Sequence, residues 1–279
     1  MLMSRRSLLM LLALSAAPAQ AATPFKPTRI SVAVRGAGPD VVLIHGLSAS
    51  RGIWSGTVAA VPGYRYHLVQ ILGFAGTPAA GNAGGKVAAP VADEIARYIA
   101  TQRLVRPAIV GHSMGGSIAM MLGARHPQAA GRVMVVDMLP SPARAFGVPQ
   151  AAVGPLARLV GGEMQGADRL RRDLNGLIGR FGSTSWLESR SDSSVVGRSM
   201  EELLSTDLTP ELPRIKAPLT VVYACPEPVS LTCSTISATY RTAYARRPGT
   251  RLVPVQRSGH TIMQDQPGVF QAALKSFLR

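Results

Sequence analysis

Residues 108–116 have the sequence Ala-Ile-Val-Gly-His-Ser-Met-Gly-Gly, which is the strongest indication of fold class in this chain. The three apolar residues are typical of a short buried strand, and the G-x-S-x-G motif after them fits a tight turn into a helix. Residues 117–125 form helices readily and end before His126-Pro127, where a helix is expected to stop. This context predicts that Ser113 lies above a sheet edge as a nucleophile, with a Gly/Ser-rich structural turn as the alternative.

Apolar runs and helical stretches alternate on both sides of this motif. Strands without polar alternation, separated by helices, indicate a mostly parallel, doubly wound sheet covered on both faces, which is the α/β class. The predicted strands are residues 29–34, 41–44, 64–71, 108–110, 133–136, 219–223 and 251–255, and the predicted helices are 87–102, 113–125, 234–245 and 267–278.

The alternation stops between residues 141 and 214. This block contains helical stretches at 149–160, 163–181 and 187–204 and no convincing strand. Its position predicts a helical cap at the C-terminal edge of the sheet, where ligands enter open α/β sheets. The chain is therefore divided into a core domain of residues 22–140 and 215–279 and a cap of residues 141–214.

The first 21 residues differ in composition from the rest of the chain. Ser4-Arg5-Arg6 precedes an apolar run over residues 8–14, and small residues follow as far as Ala19-Gln20-Ala21. A positive start, a short apolar segment and an A-x-A site are typical of a signal peptide and not of a membrane span. The segment predicts export to the periplasm or beyond, by the twin-arginine route or the general secretory one.

Charge and cysteine content limit the partners and the compartment. The net charge is +15, and removing Arg5 and Arg6 with the signal leaves +13, which suggests electrostatic association with anionic surfaces. The arginines are scattered and aromatic residues are few, so nucleic-acid binding is disfavoured. Cys225 and Cys233 are close enough in sequence for a small disulfide, as an oxidising compartment would allow, with two free thiols as the alternative.

A serine hydroxyl needs a general base to remove its proton, and the five histidines of the chain are the candidates. His260 follows the last predicted strand and precedes the final helix, so it belongs at the same sheet edge as Ser113. His112 adjoins Ser113, but neighbouring side chains diverge at such a turn, and it is interpreted as a packing residue. His260 is therefore the predicted base.

The base needs a carboxylate that fixes its tautomer, and two residues compete for this role. Glu227 follows the strand at 219–223 and fits the expected chain order of serine, acid and histidine. Asp137 ends the preceding strand and is the rival. We favour Glu227, which a bridge between Cys225 and Cys233 would enclose and restrain.

Two backbone amides are predicted to stabilise the oxyanion of a tetrahedral intermediate. The N–H of Met114 directly follows the nucleophile. The N–H of Leu47 lies in His45-Gly46-Leu47, which follows the strand at 41–44, and the glycine allows the backbone to approach the substrate closely.

Over residues 29–279, the chain resembles α/β-hydrolases of the esterase and non-haem haloperoxidase-like branch. The motifs that carry the resemblance are His45-Gly46-Leu47, Gly73-Phe74, residues 111–116, His126-Pro127, Val135-Val136-Asp137 and Ser258-Gly259-His260. The resemblance implies a serine hydrolase without a cofactor and a cap inserted after the sixth strand. The chain departs from the family pattern at Gln70, at Ala75, and at residues 224–228, where Glu227 replaces the usual acid.

The leading functional prediction is an exported hydrolase of carboxylic esters that acts through an acyl-enzyme. A cap rich in Leu, Val, Ala and Met suggests a small-molecule ester with an apolar acyl group, although its arginines could suit a carboxylate-bearing substrate. An acyltransferase or an iminopeptidase would use the same residues. A non-catalytic binding protein on a hydrolase scaffold is the alternative from a different class.

Overall fold

A seven-stranded sheet forms the centre of the molecule. The computed structural model describes residues 25–145, 190–226 and 232–279. The strands follow the order β1-β3-β2-β4-β5-β6-β7, in which β1 is antiparallel to β3 and all other neighbours are parallel. Their bounds are β1 Ile30–Arg35, β2 Asp40–Ile44, β3 Arg65–Ile71, β4 Ala108–His112, β5 Arg132–Val136, β6 Leu219–Cys225 and β7 Arg251–Gln256.

Helices cover both faces of the sheet in the described part of the chain. One apolar layer joins α2, α3, α5 and α6 to the sheet, and the other, which includes the fully buried Trp54, joins α7 and α8 to the opposite face. The helix bounds are α1 Ser55–Ala60, α2 Ala88–Thr101, α3 Met114–Arg125, α4 Pro142–Ala145, α5 Ser193–Ser205, α6 Cys233–Ala243, α7 Ile262–Asp265 and α8 Pro267–Leu278. The predicted α/β class with a mostly parallel sheet is confirmed.

The insertion point of the predicted cap needs a correction. Within the described residues, the strand that precedes it, β5, is the fifth in chain order, and not the sixth as expected. The number six came from the family resemblance, whereas the five strands predicted before residue 141 correspond to β1–β5. The predicted helices at 149–160 and 163–181 lie outside the described residues, and the domain boundaries remain predictions.

The described second part of the predicted cap is attached to the core through its helix α5. The buried carboxylate of Glu202 on α5 accepts hydrogen bonds from the N–H groups of Val87, Ala88 and Ala89, at 2.6, 2.7 and 2.9 Å. These N–H groups belong to the first turn of α2, where a helix has no internal acceptors for them. A side chain of the cap helix thus accepts the hydrogen bonds that the first N–H groups of a core helix cannot make within their own helix.

The predicted signal peptide, residues 1–21, lies outside the described residues, and export stays a prediction. Among the helices that the structure describes, none combines the length and the apolar character needed to cross a bilayer.

Candidate active site

Ser113 occupies a strained turn between β4 and α3. Its backbone has φ 55° and ψ −123°, a conformation that non-glycine residues rarely adopt and that costs on the order of 1–3 kcal/mol. The turn is crowded: a Cβ on Gly115 would lie 2.3 Å from the carbonyl oxygen of Ile44. The glycine is therefore required by a close approach of backbones, and the tight turn predicted from the sequence is present.

Asp137 lies beside this turn because β4 and β5 are in register. His112 pairs with Val136 across the two strands, and the N–H of Ser113 donates to the carbonyl oxygen of Val136 at 2.9 Å. Asp137 is the next residue, also with a positive φ of 51°. The ends of two adjacent parallel strands thus carry the hydroxyl and the carboxylate to the same edge of the sheet.

His260 is hydrogen-bonded to Asp137. The distance from His260 Nδ1 to Asp137 Oδ2 is 2.7 Å, and both side chains are largely buried. Burial alone would raise the pKa of Asp137, but the hydrogen bond and charge of His260, with a hydrogen bond from the N–H of Ala224, hold it below the usual value. Asp137 is therefore an ionised acceptor that favours a proton on Nδ1, and in this tautomer Nε2 carries the lone pair of a base.

Among the described residues, the carboxylate that pairs with His260 is that of the rival acid, Asp137. Glu227 lies outside the described residues, between Pro226 and Thr232. Its strand, β6, ends at the same edge as β5, so chain order alone does not separate the two carboxylates. The hydrogen bond to His260 Nδ1 favours Asp137, and the role of Glu227 stays a prediction.

His112 contributes more than packing. Its Nε2 lies 2.9 Å from the carbonyl oxygen of His260, and the two imidazole rings have centroids 4.7 Å apart. A carbonyl only accepts, so Nε2 carries the proton and donates it. This bond ties the loop of His260 to the residue that precedes Ser113. Burial first, and the charge of His260 next, lower the pKa of His112 to about 3, so it is neutral.

The loop after β2 is ordered by His45. Its Nε2 accepts from the N–H of Ile71 at 3.0 Å, so the proton is on Nδ1, which donates to the carbonyl oxygen of Gly46 at 2.8 Å. In a trans peptide the carbonyl and the next N–H point in opposite directions, so the N–H of Leu47 points away from that carbonyl. A Cβ on Gly46 would lie 2.9 Å from Ser113 Cβ, which shows how closely this loop passes the serine.

Met114 is the first residue of α3, so its N–H has no acceptor within the helix. Met114 and Leu47 are both buried. The structure therefore brings to one edge the predicted residues Ser113 and His260, the rival acid Asp137, and the backbone of Leu47 and Met114. This set of groups can carry out nucleophilic acyl transfer.

Because His45 and His112 are buried in their neutral form, we expect the protein to lose stability in acid. Burial lowers the pKa of His45 to about 4 and that of His112 to about 3, from 6.5 in the unfolded chain. Their contribution to stability is complete above pH 6.5 and is lost as the pH falls towards these folded-state values, because the unfolded chain then binds more protons. Each histidine contributes up to about 1.4 kcal/mol per pH unit to the free energy of unfolding.

Urea unfolding at pH 7.5, 6.0 and 5.0 measures this slope. His45→Gln keeps an acceptor for Ile71 N–H and a donor for Gly46, and it is expected to reduce the slope by about half because one of two titrating groups is gone. A free energy of unfolding that stays constant from pH 7.5 to 5.0 would contradict the burial of neutral histidines.

Cys225 and Cys233 form a disulfide with a Cα–Cα distance of 5.1 Å. It joins the end of β6 to the first residue of α6. Within the described ranges, no group of three or more His, Cys, Asp or Glu side chains is arranged to hold a metal ion.

Comparison with known proteins identifies the family of this chain. Residues 41–273 match the model of the alpha/beta hydrolase family, most of the chain. The chain belongs to the alpha/beta hydrolase family. A pimeloyl-[acyl-carrier protein] methyl ester esterase from Aeromonas hydrophila is 26% identical to it over 268 residues, which cover 89% of this chain and 99% of the relative.

Two solved structures share the fold of this alpha/beta hydrolase. An esterase from Thermogutta terrifontis superposes with a TM-score of 0.70 at 19% identity, covering 90% of this chain and 93% of that one. An enol-lactonase from Burkholderia xenovorans LB400 has a TM-score of 0.65 at 21% identity, covering 90% and 96%. Esterases and lactonases are therefore among the similar proteins.

Proposed function

We propose that this protein is a serine hydrolase that cleaves carboxylic esters of small molecules. The observation that carries the proposal is the 2.7 Å hydrogen bond from His260 to Asp137, at the edge where Ser113 lies on its strained turn. An imidazole that is oriented by an ionised carboxylate can remove the proton of a serine hydroxyl and so activate it for attack on a carbonyl. The esterase and lactonase relatives support the same reaction class.

The first half of the proposed reaction forms an acyl-enzyme. Ser113 Oγ attacks the ester carbonyl carbon while His260 Nε2 takes the hydroxyl proton, and the C=O electron pair moves onto the oxygen. The N–H groups of Leu47 and Met114 stabilise this oxyanion. When the C–O bond to the alcohol breaks, the proton on His260 passes to the departing oxygen, and the acyl group stays on Ser113.

The second half uses water in place of the serine. His260 removes a proton from water, whose oxygen attacks the acyl carbon, and the proton then returns to Ser113 Oγ as the carboxylic acid leaves. Asp137 holds the Nδ1 proton throughout and stabilises the imidazolium that forms twice. The ester and one water molecule supply all the atoms that this chain does not, and the alcohol and the carboxylic acid are the products.

Hydrolysis of a p-nitrophenyl ester series, from acetate to palmitate, tests the proposal directly. We expect turnover of about 1–10³ per second on the best ester, since enzymes commonly work in this range. The chain-length profile measures the acyl pocket, and a preference for the longer esters would support an apolar acyl group.

A fluorophosphonate probe identifies the reactive serine in the same preparation. We expect stoichiometric labelling, mapped by peptide mass spectrometry to Ser113, and no labelling of heat-denatured protein. Absence of both turnover and labelling would contradict the proposal and favour a binding protein on this scaffold. Labelling at another serine would contradict the assignment of the nucleophile.

A further inference from the structure

The carboxylate of Asp137 has a partner that the reaction scheme does not use. Its Oδ2 receives the hydrogen bond from His260, while its Oδ1 accepts two more, from the N–H of Ala224 at 2.9 Å and from the hydroxyl of Tyr240 at 3.0 Å. Tyr240 lies 103 residues away in sequence, on helix α6. It belongs to none of the motifs that pointed to the site.

The ring of Tyr240 is held between two other tyrosines. Tyr223 stacks on it with a centroid distance of 4.1 Å and an interplanar angle of 15°, and Tyr244 is nearly parallel to it at 6.4 Å. The hydroxyl of Tyr223 bonds Ser237 at 2.9 Å, and that of Tyr244 donates to the carbonyl oxygen of Met138 at 2.7 Å. The stack therefore fixes where the hydroxyl of Tyr240 points.

The disulfide fixes the helix that carries this ring. Cys233 is the first residue of α6, and its bond to Cys225 ties the helix to the end of β6. Ala224, the other donor to Asp137 Oδ1, is the residue next to Cys225 in β6. Both Oδ1 donors therefore come from the two segments that the disulfide joins.

The two donors restrict a rotation that is otherwise soft. The terminal torsion of an aspartate side chain is broad, so a single hydrogen bond leaves the carboxylate plane poorly defined. With Ala224 and Tyr240 both on Oδ1, Oδ2 is directed at His260 Nδ1. Burial, and next the charge of Asp137, raise the pKa of Tyr240 well above its usual value, so the phenol keeps its proton and acts as the donor.

We propose that Tyr240 is a positioning residue for hydrolysis, which orients the carboxylate of Asp137 towards His260 through its hydroxyl hydrogen bond. This inference rests on the proposed function. It assigns to helix α6 and its disulfide the task of holding that hydroxyl in place.

The test is Tyr240→Phe, with Tyr223→Phe as the matched control. Both variants remove one phenolic hydroxyl from the same stack, but only the first touches Asp137. We expect kcat of Tyr240→Phe to fall about 10- to 100-fold, the range for a hydrogen bond to a charged group, with KM within about twofold. Tyr223→Phe is expected to keep kcat within about twofold.

A double-mutant cycle separates positioning from a general structural effect. In an Asp137→Ala background the hydroxyl has no carboxylate to orient, so Tyr240→Phe is expected to change kcat by less than about twofold. An equal fall in both backgrounds, or unchanged kcat in the single variant, would overturn the inference.

A second probe covers the case in which Tyr240→Phe folds poorly. Cys225→Ser combined with Cys233→Ser releases the start of α6 without altering the ring, and kcat is again expected to fall only where Asp137 is present. If Ser113 and Asp137 are essential but neither probe lowers kcat, the inference alone fails. If Ser113 itself is dispensable, the proposed function fails.

Discussion

Replacing Ser113 by alanine is expected to lower kcat on the best ester about 10⁵- to 10⁶-fold, because no acyl-enzyme can form without the hydroxyl. The residual rate would come from the N–H groups of Leu47 and Met114, which still polarise a bound carbonyl. The positive φ of residue 113 is imposed by the turn and is as costly for alanine as for serine. The variant should therefore unfold at nearly the same urea concentration as the wild type, so that the loss is chemical.

Ser117→Ala is the matched control for this variant. Ser117 is a fully buried serine on α3, one helical turn after Ser113, and its hydroxyl has no hydrogen-bond partner among the described residues. Its removal is expected to leave kcat within about twofold. The measurement is the steady-state kcat of the two variants with the same ester. A fall in kcat of less than about tenfold in Ser113→Ala would mean that another group attacks the substrate.

The predicted fold agrees with the structure where the residues of a segment identify it as a strand or a helix without reference to distant contacts. Val41–Ile44 and Val133–Val136 are continuous apolar runs, which only a strand buried on both faces needs, and both are strands in the structure. The short helix Ser55–Ala60 was not predicted. It has six residues, including a glycine, and its position depends on packing of the adjacent Trp54 against Phe270, with ring centroids 6.1 Å apart. Sequence neighbours do not reveal such a contact.

In the candidate site, too, the residues that are recognisable from adjacent sequence were predicted, and the assignments that depend on contacts across the fold were not. The position of Ser113 follows from a turn whose glycines are adjacent in sequence, and that of His260 follows from the end of a strand. The choice of acid depends on which of two neighbouring strand ends directs a carboxylate at His260 Nδ1, and the positive φ of Asp137 is not visible in the sequence. Tyr240 acts across 103 residues and has no motif at all.

Asp137→Asn is expected to lower kcat about 10⁴-fold, whereas Glu227→Gln should keep it within about threefold. Both variants change a carboxylate into an amide of the same shape. In Asp137→Asn the amide oxygen can still accept from Ala224 and Tyr240, which leaves the NH₂ group facing His260 Nδ1. That arrangement favours the tautomer with the proton on Nε2, and this tautomer cannot remove the proton of Ser113.

The two variants measured side by side with the same ester identify the acid. KM should be nearly unchanged in Asp137→Asn, because the carboxylate orients the base and does not bind the substrate. A loss of 100-fold or more in Glu227→Gln, with Asp137→Asn within tenfold of the wild type, would assign the acid to Glu227. The 2.7 Å bond between His260 and Asp137 would then be structural, and Tyr240 would have no route to the reaction.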